Sequence, residues 1–193
     1  MTAFWYALGP FLCGSIPTAY IFGRYFKNVD IRQHGSGNVG ATNAFRVLGK
    51  KLGAAVFVID FLKGLLPVLV LENYFQMSSD DALWFGSAAI LGHIFTPFLK
   101  FRGGKGVATG AGVVAGSYPP LILVALVAWV AVFICTRLVA VASLAAAGTL
   151  PLASFFLPIR PQNILFLTSI FLLIVWTHRS NIQRLIRKQE TKL

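Results

Sequence analysis

Charged residues are scarce in this sequence, and acidic ones are the scarcest. Only 12% of the 193 residues are charged, about half the share of an ordinary soluble domain, whereas 56% are hydrophobic. A soluble globule of this composition would lack the polar residues needed to cover its surface. The 17 Lys and Arg outnumber the 6 Asp and Glu, and they lie in breaks between apolar runs. This arrangement favours a membrane protein, and we expect no nucleic-acid partner.

Metal ligands and reactive thiols are also few. Cys13 and Cys135 both lie inside apolar runs without metal-ligand spacing, which predicts neither a disulfide nor a metal site. The basic breaks contain only two carboxylates, Asp30 and Glu190, and no histidine cluster. We therefore expect no metal and no cofactor. A basic region before the first apolar segment is missing too, so we expect a retained helix there and no signal peptide.

Long apolar runs dominate what is present. They are continuous and do not alternate with polar residues, which predicts helices. A run of about 17 residues or more is long enough to cross a bilayer. The fourth run is shorter and is either a short span or a re-entrant segment. The sequence predicts an all-α polytopic membrane protein, one domain over residues 1–193, with about seven spans: Thr2–Gly23, Lys51–Leu71, Ala82–Leu99, Lys105–Tyr118, Pro119–Cys135, Leu138–Leu157 and Gln162–Thr177.

The positions of the basic residues support this count. If the N-terminus lies outside, every Lys and Arg except Lys63 and Arg160 falls in an inner segment. The positive-inside rule then places the C-terminus and the basic loops on the cytoplasmic side. We expect an active site on that face.

The first basic loop is rich in glycine and short polar residues. Its backbone N–H groups, with hydroxyls and amides beside them, suit a phosphate. The same residue types also dominate solvated turns, which is the alternative. The binding candidates are Gly35, Ser36, Gly37, Asn38, Gly40, Thr42 and Asn43, followed by Arg46.

A second basic loop follows the third apolar run and lies within Leu91–Gly110. Glycines there let the backbone approach a ligand, and a helix starting near Gly106 would add its N-terminal dipole. The spacing is not that of a P-loop, which has a four-residue gap before Gly-Lys and Ser or Thr after it. The alternative is a short loop whose cations only fix topology. The candidates are Arg102, Gly103, Gly104, Lys105 and Gly106.

Two further candidates follow the last apolar run. If its helix continues, His178 and Asn181 share one face, and the histidine can bind phosphate or move a proton. The alternative is an interfacial cluster before a basic tail. Ser143, in the sixth run, either bonds to its own helix or lines an inner cavity.

Three ionisable residues lie within or beside apolar runs. Asp60 and Lys63 are three residues apart in the second run, so they share a helix face. We expect them to pair or to position loop residues. His93 lies before the second basic loop and is either a hydrogen-bonded packing residue or a catalyst.

Three stretches occur in a specific order: GSGNVGATNAFR at 35–46, GHIFTPFLKFRGGKGVAT at 92–109 and HRSNIQRLI at 178–186. With DFLKGLLPV at 60–68, this set resembles the bacterial membrane glycerol-3-phosphate acyltransferases that use acyl phosphate. The resemblance covers almost the whole chain. It departs at Thr96, where family members often have proline directly, and at Lys188, where they usually have glycine.

The resemblance implies an acyl-phosphate:glycerol-3-phosphate O-acyltransferase. It would form 1-acyl-sn-glycerol 3-phosphate (lysophosphatidic acid) and phosphate, the first step of phospholipid synthesis, without requiring acyl-CoA or acyl carrier protein. It also implies a multi-pass protein of the bacterial cytoplasmic (inner) membrane, in contact with membrane lipid, and we expect a monomer.

The two phosphate-bearing substrates determine the roles that we assign. Ser36 and Asn38 would bind the acyl-phosphate head, while Lys105 and Arg46 would neutralise phosphate charge. A further pair, His178 and Asn181, would hold glycerol 3-phosphate. Either His178 or the leaving phosphate takes the hydroxyl proton. No cysteine lies in a basic loop, so we expect direct transfer without an acyl-enzyme.

A transporter for an organic anion such as glycerol 3-phosphate is the alternative function. Its basic loops would then form an entry funnel. Such a protein needs charges that reach both membrane faces, whereas these cations lie on one side.

Overall fold

The structure, a computed structural model, describes the backbone of residues 2–192 and the side chains of residues 3–192. This part of the chain is all-helical and contains no strand. It forms two compact units, an N-terminal one over Met1–Ser117 and a C-terminal one over Tyr118–Leu193. The single domain over 1–193 stays a prediction. The helices are α1 (Thr2–Ser15), α2 (Thr18–Lys27), α3 (Ala41–Leu48), α4 (Lys50–Asn73), α5 (Ser79–Gly86), α6 (Ala88–Ile94), α7 (Val107–Ser117), α8 (Pro119–Thr136), α9 (Val139–Ser154), α10 (Pro161–Thr177) and α11 (Arg179–Ile186), with 3-10 turns at Ile31–Gln33 and Pro97–Leu99.

Within residues 2–192, three helical segments are long and apolar enough to cross a membrane. They are α4, the segment Ser79–Leu99 that contains α5 and α6, and α8. These agree with the predicted second, third and fifth spans. Helices α7 and α9 are apolar but shorter, and α10 and α11 form a pair bent by 58°. About seven spans, and their orientation, therefore stay a prediction.

The predicted first span is not one continuous helix. It breaks between Ser15 and Thr18, where Pro17 has no N–H to continue the helical bonds. The carbonyls near the break bond to side chains from elsewhere in the N-terminal unit: the Lys63 Nζ donates to Ile16 O at 2.9 Å, and the Thr96 Oγ1 donates to Ser15 O at 2.6 Å. Both carbonyls therefore keep a hydrogen-bond donor although the helix is broken there.

Glycines bring two helix pairs of the N-terminal unit into backbone contact. A Cβ on Gly64 of α4 would collide with the Thr109 carbonyl of α7, and one on Gly112 of α7 would collide with the Phe61 carbonyl of α4. Helices α1 and α6 meet in the same way at Gly92. Small residues at helix contacts are a common basis of packing in membranes.

An apolar cluster lies beneath the first basic loop and fixes its ends. Its members come from the 3-10 turn Ile31–Gln33, the first loop itself, helices α2 to α4 and the 3-10 turn Pro97–Leu99, and each is at most 5% exposed. Because both loops are anchored on one cluster, the cluster sets the distance between them. The members are Ala19, Ile31, Val39, Ala44, Leu48, Val56 and Leu99.

The C-terminal unit consists of α8 to α11. Helix α9 packs against both α8 and α10. Several side chains of α8 remain exposed, among them Leu123, Val127 and Ile134, as expected for a helix whose apolar surface faces lipid.

Candidate active site

Asp30 organises the entrance to the first loop. Its carboxylate accepts hydrogen bonds from the Arg32 Nε at 2.9 Å, the Arg32 Nη2 at 2.7 Å and the Arg24 Nη2 at 3.0 Å. The hydrogen bonds from Arg32 hold the pKa of Asp30 well below its usual range, although burial opposes this shift. Both guanidinium groups also lie over the Tyr20 ring. Asp30 is therefore ionised and fixes the Arg32 side chain.

Asn43 is the centre of the first loop. Its Oδ1 accepts from the Ser36 N–H at 2.9 Å, and its Nδ2 lies 3.0 Å from the carbonyls of His34 and Asn38 and 3.3 Å from that of Ile31. The side chain is 1% exposed. Buried amides bonded on both ends are expensive to replace, so Asn43 holds the loop in one conformation.

The residues around Asn43 are more accessible. Gly35 and Gly37 have positive φ values of 61° and 71°, which glycine adopts without strain. Ser36 is exposed, and Asn38 is half-buried with its Oδ1 accepting from the Gly40 N–H at 3.0 Å. That bond leaves the Asn38 NH₂ group as the donor for a ligand.

A cavity of about 390 Å³ connects the first and second basic loops. Two arginines line it, and Arg32 is already paired with Asp30. Within residues 2–192 no acidic side chain pairs with Arg102, which therefore supplies net positive charge. Such a cavity suits an anion. The lining residues are Asp30, Arg32, Gln33, Gly37, Leu99, Arg102 and Gly103.

The glycine pair of the second loop bonds to α6. The Gly103 N–H donates to Ile94 O at 2.9 Å, and the Gly104 N–H donates to His93 O at 3.0 Å. These two N–H groups are therefore engaged by helix-end carbonyls, which need donors of their own. The assignment of Gly103 and Gly104 to substrate binding stays a prediction. Gly106 has a φ of +82°, and α7 begins directly after it, as predicted.

The two cations that we assigned to phosphate neutralisation, Lys105 and Arg46, are both half-buried. Lys105 is half-buried and lies two residues before Val107, the first residue of α7. Arg46 is half-buried on α3, whose first turn contains Thr42. Both cations belong to the same compact unit as the cavity.

In the C-terminal unit, α10 ends at Thr177, where the predicted last span also ends, and the helix does not continue through His178. The Ile174 carbonyl accepts from the His178 N–H at 3.1 Å, from the His178 Nδ1 at 2.8 Å and from the Thr177 Oγ1 at 2.8 Å. Side chains that bond to the last-turn carbonyls compete with the helix, and α11 starts at Arg179 in a new direction. Because Nδ1 donates, Nε2 is the acceptor of the neutral ring.

Asn181 is held by a carboxylate that comes after α11. The Glu190 Oε1 accepts from the Asn181 Nδ2 at 2.8 Å, and the Glu190 Oε2 accepts from the Arg184 Nε at 2.7 Å. Both His178 and Asn181 are buried, at 2% and 4% exposure. We call residues 178–190 the C-terminal segment.

The Ser143 hydroxyl bonds to a neighbouring helix and not to its own. It is buried and accepts a hydrogen bond from the Trp129 Nε1 at 3.3 Å, which joins α9 to α8. Its assignment to substrate binding stays a prediction.

Sequence reasoning missed the supporting roles of Asp30, Arg32 and Glu190. Both carboxylates pair with arginines close in sequence. The available signal was that each is the lone acidic residue of a strongly basic segment.

The family model for glycerol-3-phosphate acyltransferase matches residues 4–188. The chain belongs to the glycerol-3-phosphate acyltransferase family. A family member from Endomicrobium trichonymphae is 45% identical over 97% of this chain and 94% of its own length. Another, from Pseudomonas fluorescens, is 42% identical over 97% of this chain and 98% of its own length.

Solved structures of the family have the same fold. A crystal structure of PlsY (YgiH), an integral membrane glycerol 3-phosphate acyltransferase in its glycerol 3-phosphate form, aligns with a TM-score of 0.93. Its lysophosphatidic acid form aligns with a TM-score of 0.89. Each is 38% identical and covers 100% of this chain and 96% of its own.

The structure explains the departure at Thr96, and at Lys188 it explains only the glycine of other family members. The Thr96 hydroxyl is the donor to Ser15 O at the α1–α2 break. Lys188 has a φ of 55°, in the left-handed region that favours glycine.

Proposed function

We propose that this chain transfers a fatty acyl group from acyl phosphate to the 1-hydroxyl of sn-glycerol 3-phosphate, giving 1-acyl-sn-glycerol 3-phosphate and phosphate, at the cytoplasmic face of a bacterial membrane. The full-length likeness to a structure in its glycerol 3-phosphate form carries this proposal. The related lysophosphatidic acid form corresponds to the acylated product. The cation-lined cavity between two basic loops adds support, because both substrates bring a phosphate.

We assign the acyl-phosphate head to the first loop. Ser36 is exposed with a hydroxyl to donate, and the Asn38 NH₂ group is the second donor. Charge-assisted hydrogen bonds to phosphate are the strong kind. Asn43 keeps both donors in place from beneath.

Lys105, Arg46 and Arg102 neutralise phosphate charge in this proposal. Two carboxylates of the same unit are already paired, Asp30 with two arginines and Asp60 with Lys63. Phosphate is already a competent leaving group on an acyl carbon. Catalysis therefore rests on positioning and electrostatic stabilisation.

His178 and Asn181 hold glycerol 3-phosphate. The fixed tautomer of His178 makes its Nε2 the hydrogen-bond acceptor for the substrate hydroxyl. The hydroxyl oxygen attacks the acyl carbon, the bond from that carbon to the phosphate oxygen breaks, and the hydroxyl proton goes either to the leaving phosphate or to the His178 Nε2. Atoms and charges balance without a covalent enzyme intermediate or a co-reactant.

Purified protein in detergent tests this proposal. We expect turnover of acyl phosphate with glycerol 3-phosphate and no effect of a chelator, since residues 2–192 contain no group of three His, Cys, Asp or Glu side chains able to hold a metal. A transporter shows no activity without two compartments. Equal turnover with acyl-CoA would contradict the assigned donor.

Lysine variants test the electrostatic assignment. Lys105→Ala removes a charge beside a partly buried phosphate, worth about 1.5–3 kcal/mol, so kcat/KM should fall roughly 10- to 100-fold or more. Lys100→Ala is the matched control, because Lys100 is exposed, whereas Lys105 is half-buried two residues before α7. It should remain within a few-fold of wild type. Equal effects of the two variants would leave the second loop as a topology signal only.

A further inference from the structure

A buried polar cluster in the N-terminal unit has no role in the reaction described above. Asp60 and Lys63 of α4 form an ion pair with 2.8 Å between Oδ1 and Nζ, and the His93 Nδ1 of α6 lies 4.0 Å from the same Oδ1. The three residues are 1%, 5% and 6% exposed. Buried ion pairs are weak contributors to stability and are often retained because they fix one arrangement.

Besides His93 of α6, the cluster contacts the break between α1 and α2. Lys63 donates to the Ile16 carbonyl in the break between α1 and α2, at 2.9 Å. Asp60 is thereby held by a lysine that has a second fixed partner. The pair presents a rigid, charged surface to the His93 ring on α6.

The opposite edge of the His93 ring touches the second basic loop. A Cβ built on Gly104 would collide with the His93 Nε2 and would lie 2.8 Å from Cε1 and 2.9 Å from Cδ2. The Gly104 N–H also donates to the His93 carbonyl. The ring therefore lies between Asp60 and the backbone that leads directly into Lys105.

This contact gives a different reason for glycine at 104. Gly104 is buried against a side chain, whereas the cavity is lined by its neighbour Gly103. At Gly104, therefore, the missing side chain makes room for the His93 ring. The position of the loop therefore depends on the His93 ring, and the position of the ring depends on the Asp60–Lys63 ion pair.

We propose that His93, held by the Asp60–Lys63 pair, is a positioning residue that sets the second basic loop and thereby the place of Lys105. This inference rests on the acyltransferase function proposed above. His93 itself touches neither substrate. Displacement of a catalytic cation by about 1 Å costs up to roughly 100-fold in rate, so a packing residue beneath the loop has a kinetic effect.

Suppression between positions 93 and 104 tests the contact. Gly104→Ala should lower Tm in detergent and reduce kcat/KM about 10- to 100-fold, because the added methyl group meets the ring. Adding His93→Ala removes the ring, so the double variant should recover much of the lost Tm, while its kcat/KM should equal that of His93→Ala alone. If the double variant has a Tm no higher than that of Gly104→Ala, glycine is required for a reason other than His93 and the proposal is overturned.

Gly110→Ala is the matched control for that experiment. Gly110 lies on α7, close to the same loop, but its Cβ would meet only the Ile90 Cδ1 at an ordinary 3.6 Å. On its own this variant should keep wild-type Tm and activity, and combined with His93→Ala it should behave like His93→Ala alone. Recovery of a damaged Gly110→Ala variant by His93→Ala would contradict a specific contact.

A second cycle tests whether His93 acts through Lys105. His93→Ala should lower kcat/KM about 10-fold in the wild-type background but less than about 2-fold in a Lys105→Gln background, since the residue being positioned is gone. Equal losses in both backgrounds would overturn the positioning role. If the wild-type protein proves inactive, the proposed function fails, whereas the Tm coupling of positions 93 and 104 still decides the contact.

Discussion

The first loop and the C-terminal segment hold their proposed substrate-binding residues in opposite ways. In the first loop, one buried amide bonds to four backbone groups, and the residues assigned to the ligand, such as Ser36, stay accessible. In the C-terminal segment the assigned residues, His178 and Asn181, are buried and already bonded to protein groups. In the first loop, different residues support the fold and bind the ligand. In the C-terminal segment, the same side chains do both.

This difference predicts how substitutions act. A support residue of the first loop should cost stability and activity together when it is replaced. In the C-terminal segment, variants that keep one of two hydrogen bonds should separate binding from structure. Asp30 and Glu190 are the shared feature, since each carboxylate fixes a basic side chain near the site.

The largest effect should come from Asn43→Asp. The substitution keeps the acceptor for the Ser36 N–H but places a carboxylate oxygen against three carbonyls, so the folded state should lose about 3 kcal/mol or more. We expect a clear fall in Tm in detergent and at least about a 100-fold loss of kcat/KM. Asn73→Asp, at an exposed helix end, is the isosteric control and should behave like wild type. Wild-type behaviour of Asn43→Asp would remove the contrast between the two regions.

The next effect concerns the two ring nitrogens of His178. A glutamine amide reaches the place of Nε2, so His178→Gln should raise KM for glycerol 3-phosphate about 10-fold, with kcat within a few-fold. An asparagine amide can keep the bond to the Ile174 carbonyl but not the substrate contact, so His178→Asn should lose about 100-fold in kcat/KM. Steady-state kinetics over both substrates distinguishes them. A Gln variant with a normal KM and almost no kcat would make His178 the general base.

A smaller effect should follow from Asp30→Asn, because its arginine partners are 49% and 42% exposed and therefore screened by solvent. The pKa of Asp30 is depressed in the folded state, so its carboxylate stabilises the fold above its unfolded pKa of about 3.9. The stabilisation is lost as pH falls through the folded value. The Tm difference between wild type and variant should be full at pH 7 and start to shrink only below about pH 4. A difference that already vanishes between pH 7 and pH 5 would show that another group is responsible.

The smallest effect should come from Lys188→Gly at the end of the C-terminal segment. The left-handed conformation costs a lysine about 1 kcal/mol, which glycine avoids, while glycine loses a similar amount in chain entropy. We expect a Tm equal to wild type or about 1–2 °C higher, and unchanged activity. Lys188→Ala keeps the conformational cost and gains nothing. A glycine variant less stable than the alanine variant would show that the lysine side chain holds the segment.

The sequence predicted the helical class because continuous apolar runs leave no alternative for backbone hydrogen bonds in a bilayer. It also predicted the Asp60–Lys63 pair, which depends only on three-residue spacing within one helix. It failed at Pro17 and His178, where helices that composition would continue are broken. At such positions, side chains compete with the helix for backbone carbonyls, and hydropathy carries no information about this competition.

The amino-acid sequence by itself determined the membrane class, the order of the three polar stretches and the excess of cations beside them. Each of these follows from composition or spacing along the chain. Only the tertiary structure decided what the polar residues do within those stretches. In the folded chain, the Gly103 and Gly104 N–H groups donate to carbonyls of α6, and Gly104 lies against the His93 ring. The physical reason is that a backbone donor bonds to the acceptor that folding brings within about 3 Å, and that acceptor can lie anywhere in the chain.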